Sequence, residues 1–110
     1  MGKQKADLLQ GTVEMLVLRL LRGGPLHGWD IMQRITLVSD DALAVNPGSL
    51  YPALHRLEER GHVAAEWGAS ENKRRAKFYE LTTAGLEQLD RETAQWKRFA
   101  GAVEVILRDA

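Results

Sequence analysis

The sequence predicts a mainly α-helical protein that carries one small β-hairpin and closes on a long helix. Three observations give that class: apolar residues at helical spacing in four separate segments, two short alternating stretches around a polar turn, and a terminal apolar seam with heptad spacing. The chain has 110 residues, which suits one core, and 45% hydrophobic content, which suits a folded chain. Lys plus Arg and Asp plus Glu number 15 each, so a high net charge gives no argument for a nucleic-acid partner and the placement of the charges must decide. The chain has no cysteine, which excludes disulfides, thiolate metal ligands and a cysteine nucleophile.

From Leu8 to Leu21, the residues Leu9, Val13, Leu16, Val17, Leu20 and Leu21 recur at helical spacing and predict a first helix with one buried stripe. Gly23, Gly24 and Pro25 stop it. A second helix is expected over His27 to Val38, where Trp29, Met32 and Ile35 stand three apart with Ile31 beside them. Ser39 to Val45 has no period and reads as a connection.

The third helix can start in two ways. With Asn46 as cap and Pro47 at the first position, Pro52 falls inside the helix and should bend it; with Ser49 as cap, Pro52 sits in the first turn at little cost. Either way Leu50, Leu54 and Leu57 stack on one face.

Gly61 ends that helix, and Val63 to Trp67 alternates as a strand. A polar turn over Ala69 to Asn72 leads through Lys73, Arg74 and Arg75 into a second strand from Ala76 to Leu81, which makes a two-stranded hairpin. Thr82 or Thr83 can cap the last helix, where Leu86, Leu89, Thr93, Trp96, Ala100, Val103 and Leu107 alternate at three and four. That seam runs on the order of 30 Å, longer than so small a core can cover, so its surplus needs a partner. Gly101 inside it marks close packing or a flexible point. Trp29 and Trp67 are expected in the core.

This order of elements is that of a winged helix-turn-helix domain over residues 1–81, with residues 82–110 as a dimerisation helix in one compact unit. The third helix would enter the major groove, offering Ser49, Tyr51, Pro52, His55 and Arg56. Lys73, Arg74, Arg75 and Lys77 place four cations within five residues at the hairpin tip, suited to phosphate or minor-groove contact. His27, His55 and His62 lack metal spacing, and no catalytic constellation, phosphate cradle or metal box is present, so neither an enzyme nor a cofactor is expected. Trp96 either fills a dimer core or pairs with its twin as a flat surface for a planar ligand. The start Met1-Gly2-Lys3-Gln4-Lys5-Ala6 lacks an apolar signal core and a Ser or Thr at position 6, and no run reaches membrane-spanning length. A soluble, unanchored, cytoplasmic protein is the expectation.

Three segments resemble the PadR family of bacterial transcriptional regulators: Gly24-Pro25-Leu26-His27-Gly28-Trp29-Asp30-Ile31, Gly48-Ser49-Leu50-Tyr51-Pro52-Ala53-Leu54-His55-Arg56-Leu57-Glu58, and Lys73-Arg74-Arg75-Ala76-Lys77-Phe78-Tyr79-Glu80-Leu81-Thr82 with Gly85. Glu92 and Trp96 match the last helix of the short members, so the resemblance covers about Leu8 to Leu107. It implies a homodimeric repressor joined through the last helix, bound to a roughly palindromic double-stranded DNA operator and released by small aromatic or hydrophobic effectors. By position it implies Ser49, Tyr51 and His55 on the reading helix, Lys73, Arg74 and Arg75 on the wing, and Trp96 at an effector pore. Trp29 departs from the tyrosine usual there. The competing reading of the same fold is a winged-helix module that docks a protein and binds no operator.

Overall fold

The structure, a computed structural model, describes residues 6–7 and 10–110. The elements run β1 (Ala6–Asp7), α1 (Gln10–Leu21), β2 (Leu26–His27), α2 (Gly28–Val38), β3 (Leu43–Ala44), α3 (Pro47–Glu59), β4 (Val63–Ala69), β5 (Arg75–Leu81) and α4 (Thr83–Asp109). The expected start of the first helix at Leu8, with Leu9, lies outside the described residues. The mainly helical class with a long final helix is the one the periodicity predicts.

One core joins the elements. Val13, Val17, Leu18 and Leu21 of α1 meet Ile31 and Ile35 of α2, Leu50, Ala53, Leu54 and Leu57 of α3, Val63 and Tyr79 of the sheet, and Leu89 of α4. Leu18, absent from the expected stripe, is fully buried, while Leu16 and Leu20 are half-buried. The buried arc of α1 is therefore rotated from the predicted one, because helices pack on two of its sides. Glu14 is buried on this helix too. Its carboxylate accepts from Arg56 Nε at 2.8 Å and from Arg60 Nη1 at 2.9 Å, which offsets its desolvation and fastens the back of α3 to α1.

Asn46 caps α3, its Oδ1 accepting from the Ser49 N–H at 2.9 Å, with Pro47 at the first position. Pro52 thus lies inside the helix, which runs on to Glu59. The bond it cannot make would have gone to the carbonyl of Gly48; both residues face water, which can take that carbonyl. In the connection before α3, Asp40 and Asp41 take left-handed φ of 53° and 68°, a conformation aspartate tolerates, and Leu43–Ala44 pairs in parallel with Ala6–Asp7.

The expected two-stranded hairpin is a three-stranded antiparallel sheet ordered β2-β5-β4. Leu26 pairs with Tyr79 and His27 with Phe78. Two residues are too few to show a period, so the sequence hid this strand. The hairpin strands are also longer than expected, so the connection between them shrinks from residues 68–75 to Ser70–Arg74.

Thr82 caps α4, its Oγ1 accepting from the Gly85 N–H at 3.0 Å and donating to the Gly61 carbonyl at 2.6 Å. Gly85 lies so close to the His62 carbonyl that any Cβ would collide with backbone, so the first turn of α4 is pressed into the α3–β4 corner. Leu89, at 2% exposure, completes the core. Beyond it the helix leaves its own domain: Trp96, Phe99, Val103, Ile106 and Leu107 are exposed. A Cβ at Gly101 would meet nothing of its own chain within 4 Å, and α4 runs through the position unbroken. No described helix is long and apolar enough to cross a membrane.

Candidate nucleic-acid interface

The outward side of α3 presents Ser49, Tyr51, Pro52 and His55, all exposed. Their freedom follows from the burial of Leu50, Ala53, Leu54 and Leu57, which fixes the roll of the helix. His55 Nε2 lies 3.5 Å from Glu59 one turn on, both at the surface. Arg56, expected among the reading residues, is instead turned toward α1 and held there by Glu14.

The α2 N-terminus abuts this side. His27 caps α2, its Nδ1 accepting from the Asp30 N–H at 3.3 Å, and its ring stands edge-on to Phe78 at 5.2 Å. Gly28 follows, and a Cβ there would fall 2.8 Å from the Tyr51 ring, so only glycine leaves Tyr51 its present seat.

At the wing tip, the Ser70 N–H donates to the Arg74 carbonyl at 2.8 Å and the Lys73 N–H to the Ser70 carbonyl at 2.9 Å. Lys73 takes a left-handed φ of 60°, a position that ordinarily favours glycine. Register then sorts the charges. Trp67 is opposite Lys77 and Ala69 opposite Arg75, so Trp67, Arg75 and Lys77 share one face with Ala65, Tyr79 and Val63. Glu66 and Glu80 belong to the other face. A chain of zero net charge therefore carries a wing that is cationic and aromatic toward α3 and acidic away from it.

Two contacts order the inner face. The Arg75 guanidinium lies over the Trp67 ring at 4.5 Å, and Lys77 Nζ donates to Glu58 Oε1 of α3 at 3.1 Å, with the Tyr79 ring 5.6 Å away. The Glu58 hydrogen bond holds the Lys77 ammonium above the ordinary lysine range, and burial pushes the Tyr79 phenol up. Lys77, expected to meet DNA, is paired with Glu58 and lines the cleft between the wing and α3.

Between α2, α3 and the wing opens a cleft of about 730 Å³, lined by Trp29, Tyr51, Trp67, Arg74, Arg75 and Lys77 among others. Trp29 and Trp67 are 61% and 56% exposed, which corrects their expected place in the core. Trp29 stands between buried Gly28 and Ile31, on the side of α2 turned away from the core, and Trp67 lies two residues beyond the last half-buried position of its strand face. Alternation did put Trp67 on the face of Val63; what it lacked was the height of the sheet above the helices. No group of three or more His, Cys, Asp or Glu able to hold a metal occurs among the described residues.

Residues 17–91 match the family described as the transcriptional regulator PadR-like family. A 37.1 kDa uncharacterised protein in a transposon of Streptomyces fradiae is 44% identical over 90 residues; the match takes in 82% of this chain but 24% of that protein, so the chain spans about a quarter of that relative. A transcriptional regulator of Mycobacterium tuberculosis is 30% identical over 96 residues, covering 78% of this chain and 86% of that one. Among solved structures, a PadR family transcriptional regulator from Eggerthella lenta superposes with a TM-score of 0.74 at 33% identity, over 92% of this chain and 86% of that chain.

Proposed function

The chain belongs to the PadR-like family of transcriptional regulators, which makes it a DNA-binding regulator, and from that premise we propose a homodimeric repressor that reads a near-palindromic operator. Each α3 enters a major groove with Ser49, Tyr51, Pro52 and His55 toward base edges and sugar, while Lys73, Arg74 and Arg75 engage phosphates beside it. Residues 1–81 do the binding and the 82–110 helix pairs two copies. Arg56 and Lys77 act behind the surface, Arg56 by fixing α3 on α1 and Lys77 by fixing the wing on α3.

The observation that carries this reading is the sorting of charge across the wing, with Arg75 and Lys77 facing the α3 side and Glu66 and Glu80 turned away. A polyanion approaching α3 meets the strand face of the wing that carries Arg75 and Lys77. Gel shift against genomic fragments selected by the purified protein tests it. Tight binding that weakens steeply with salt is expected, with Arg74→Ala plus Arg75→Ala lowering affinity on every sequence and reducing the salt slope by about 1.8. A wild type that binds no duplex above background leaves the protein-docking module as the better reading.

Relief by a small aromatic or hydrophobic effector belongs to the same proposal and rests on Trp96, 49% exposed on a helix face that its own chain leaves bare. Quenching of tryptophan emission by planar apolar compounds, lost in Trp96→Ala, tests it; no quenching leaves Trp96 as part of a dimer core.

A further inference from the structure

We propose that Trp67 is a positioning residue for operator binding: its indole holds the Arg75 guanidinium on the inner face of the wing, aimed across the cleft at the sugar–phosphate strand beside α3. The inference rests on the DNA-binding reading above and deepens it.

An arginine at a loop edge is ordinarily free to explore many rotamers, and each must be given up when a phosphate is bound. Here Arg75 is the first residue of β5, next to the turn, yet its guanidinium is seated on the Trp67 ring at 4.5 Å. Stacking through the planar face leaves the in-plane N–H groups able to donate to a phosphate. The arrangement follows from register: Trp67 is opposite Lys77, and Arg75 is its diagonal neighbour on the same face. Core packing does not account for the tryptophan, which is more than half exposed, and Lys77, directly opposite it, is already held by Glu58. What remains for the ring to do is to hold Arg75. Trp29 lines the same cleft, so a strand entering there meets further aromatic surface beside the Arg75 donors.

A double-mutant cycle tests this with the full chain and its selected operator duplex. Trp67→Ala is expected to weaken binding about twofold to fivefold, the range of an exposed cation–π contact, with the salt slope kept because the Arg75 charge remains. Trp67→Phe retains a ring and most of the affinity. In the Arg75→Ala background, Trp67→Ala causes no further loss, and thermal unfolding confirms that each variant is folded. Three results would overturn the proposal while the DNA-binding reading stands: wild-type affinity in Trp67→Ala, a Trp67→Ala loss that persists undiminished beside Arg75→Ala, or Trp67→Phe as weak as Trp67→Ala. A wild type that binds no duplex overturns both.

Discussion

The ring of Tyr51 on α3 rests against the backbone of Gly28 at the start of α2, at a separation that leaves no room for a Cβ. The atoms in the way belong to the far end of a side chain, so Gly28→Ala should displace the ring and leave the backbone in place. Gly28 is the first residue of α2, where the interior preference for alanine over glycine adds little. The expected outcome is a thermal midpoint within a few degrees of wild type with operator affinity and base preference altered. Loss of folding would show instead that the α2–α3 corner cannot relax.

Lys73 occupies a left-handed backbone position at the wing tip, φ 60°, where glycine carries no steric penalty. Lys73→Gly should therefore raise stability by about 0.5–1 kcal/mol while removing one phosphate-seeking charge. Operator affinity should fall on all sequences alike and the salt slope by about 0.9. Urea unfolding beside gel shifts at several salt concentrations reads both halves. A variant both more stable and equally tight would mean that Lys73 makes no phosphate contact.

Among the described residues, two groups whose affinity for the proton rises on folding contribute to the alkaline limb of stability. Burial raises the Tyr79 phenol above its usual value near 10, and the Glu58 hydrogen bond raises Lys77. In both cases the unfolded chain releases its proton first. Stability contributed by either is whole below pH about 10 and is lost as pH climbs through the folded values. Thermal midpoints measured from neutrality upward should hold steady and then fall beyond pH about 10. Tyr79→Phe should flatten part of that fall, and Glu58→Gln the part that belongs to Lys77.

Periodicity carries elements whose environment repeats along their length. The Leu50, Leu54, Leu57 face of α3 was legible because every turn meets the same core, and Asn46-Pro47 marked one of its two possible starts. Cap choice was not legible, since both starts leave Leu50, Leu54 and Leu57 on the same face. Leu26–His27 could not be read as a strand because its partner is supplied by β5, some fifty residues on. Trp29 and Trp67 differ from expectation for two reasons: Trp29 lies across α2 from the buried Ile31 and Ile35, and Trp67 lies where its strand has risen beyond the core. The Arg56 placement needed Glu14, a charged residue on a buried stripe, and that contact is tertiary. The basic tip itself was legible from composition, but the inner and outer faces of the wing required the register.

The bare half of α4 makes the last prediction. Leu86, Leu89, Thr93, Trp96, Ala100, Val103 and Leu107 form the heptad seam, yet Leu89 is consumed by its own chain's core. From Trp96 onward the seam is open, and Phe99, 68% exposed, and Ile106 widen it on one side. Exposed apolar side chains at this density are costly to leave in water, at roughly 25 cal/mol per Å² of surface that a second copy would cover. Val103→Glu with Ile106→Glu should therefore give a monomer by sedimentation with the winged domain still folded, since neither residue touches the core. Leu89→Glu should instead unfold the chain, because it buries a lone carboxylate. The monomer can engage only one half-site of a pair set about 34–36 Å apart, so its operator affinity should drop by about a hundredfold or more. A doubly substituted chain that still sediments as a dimer would place the contact elsewhere.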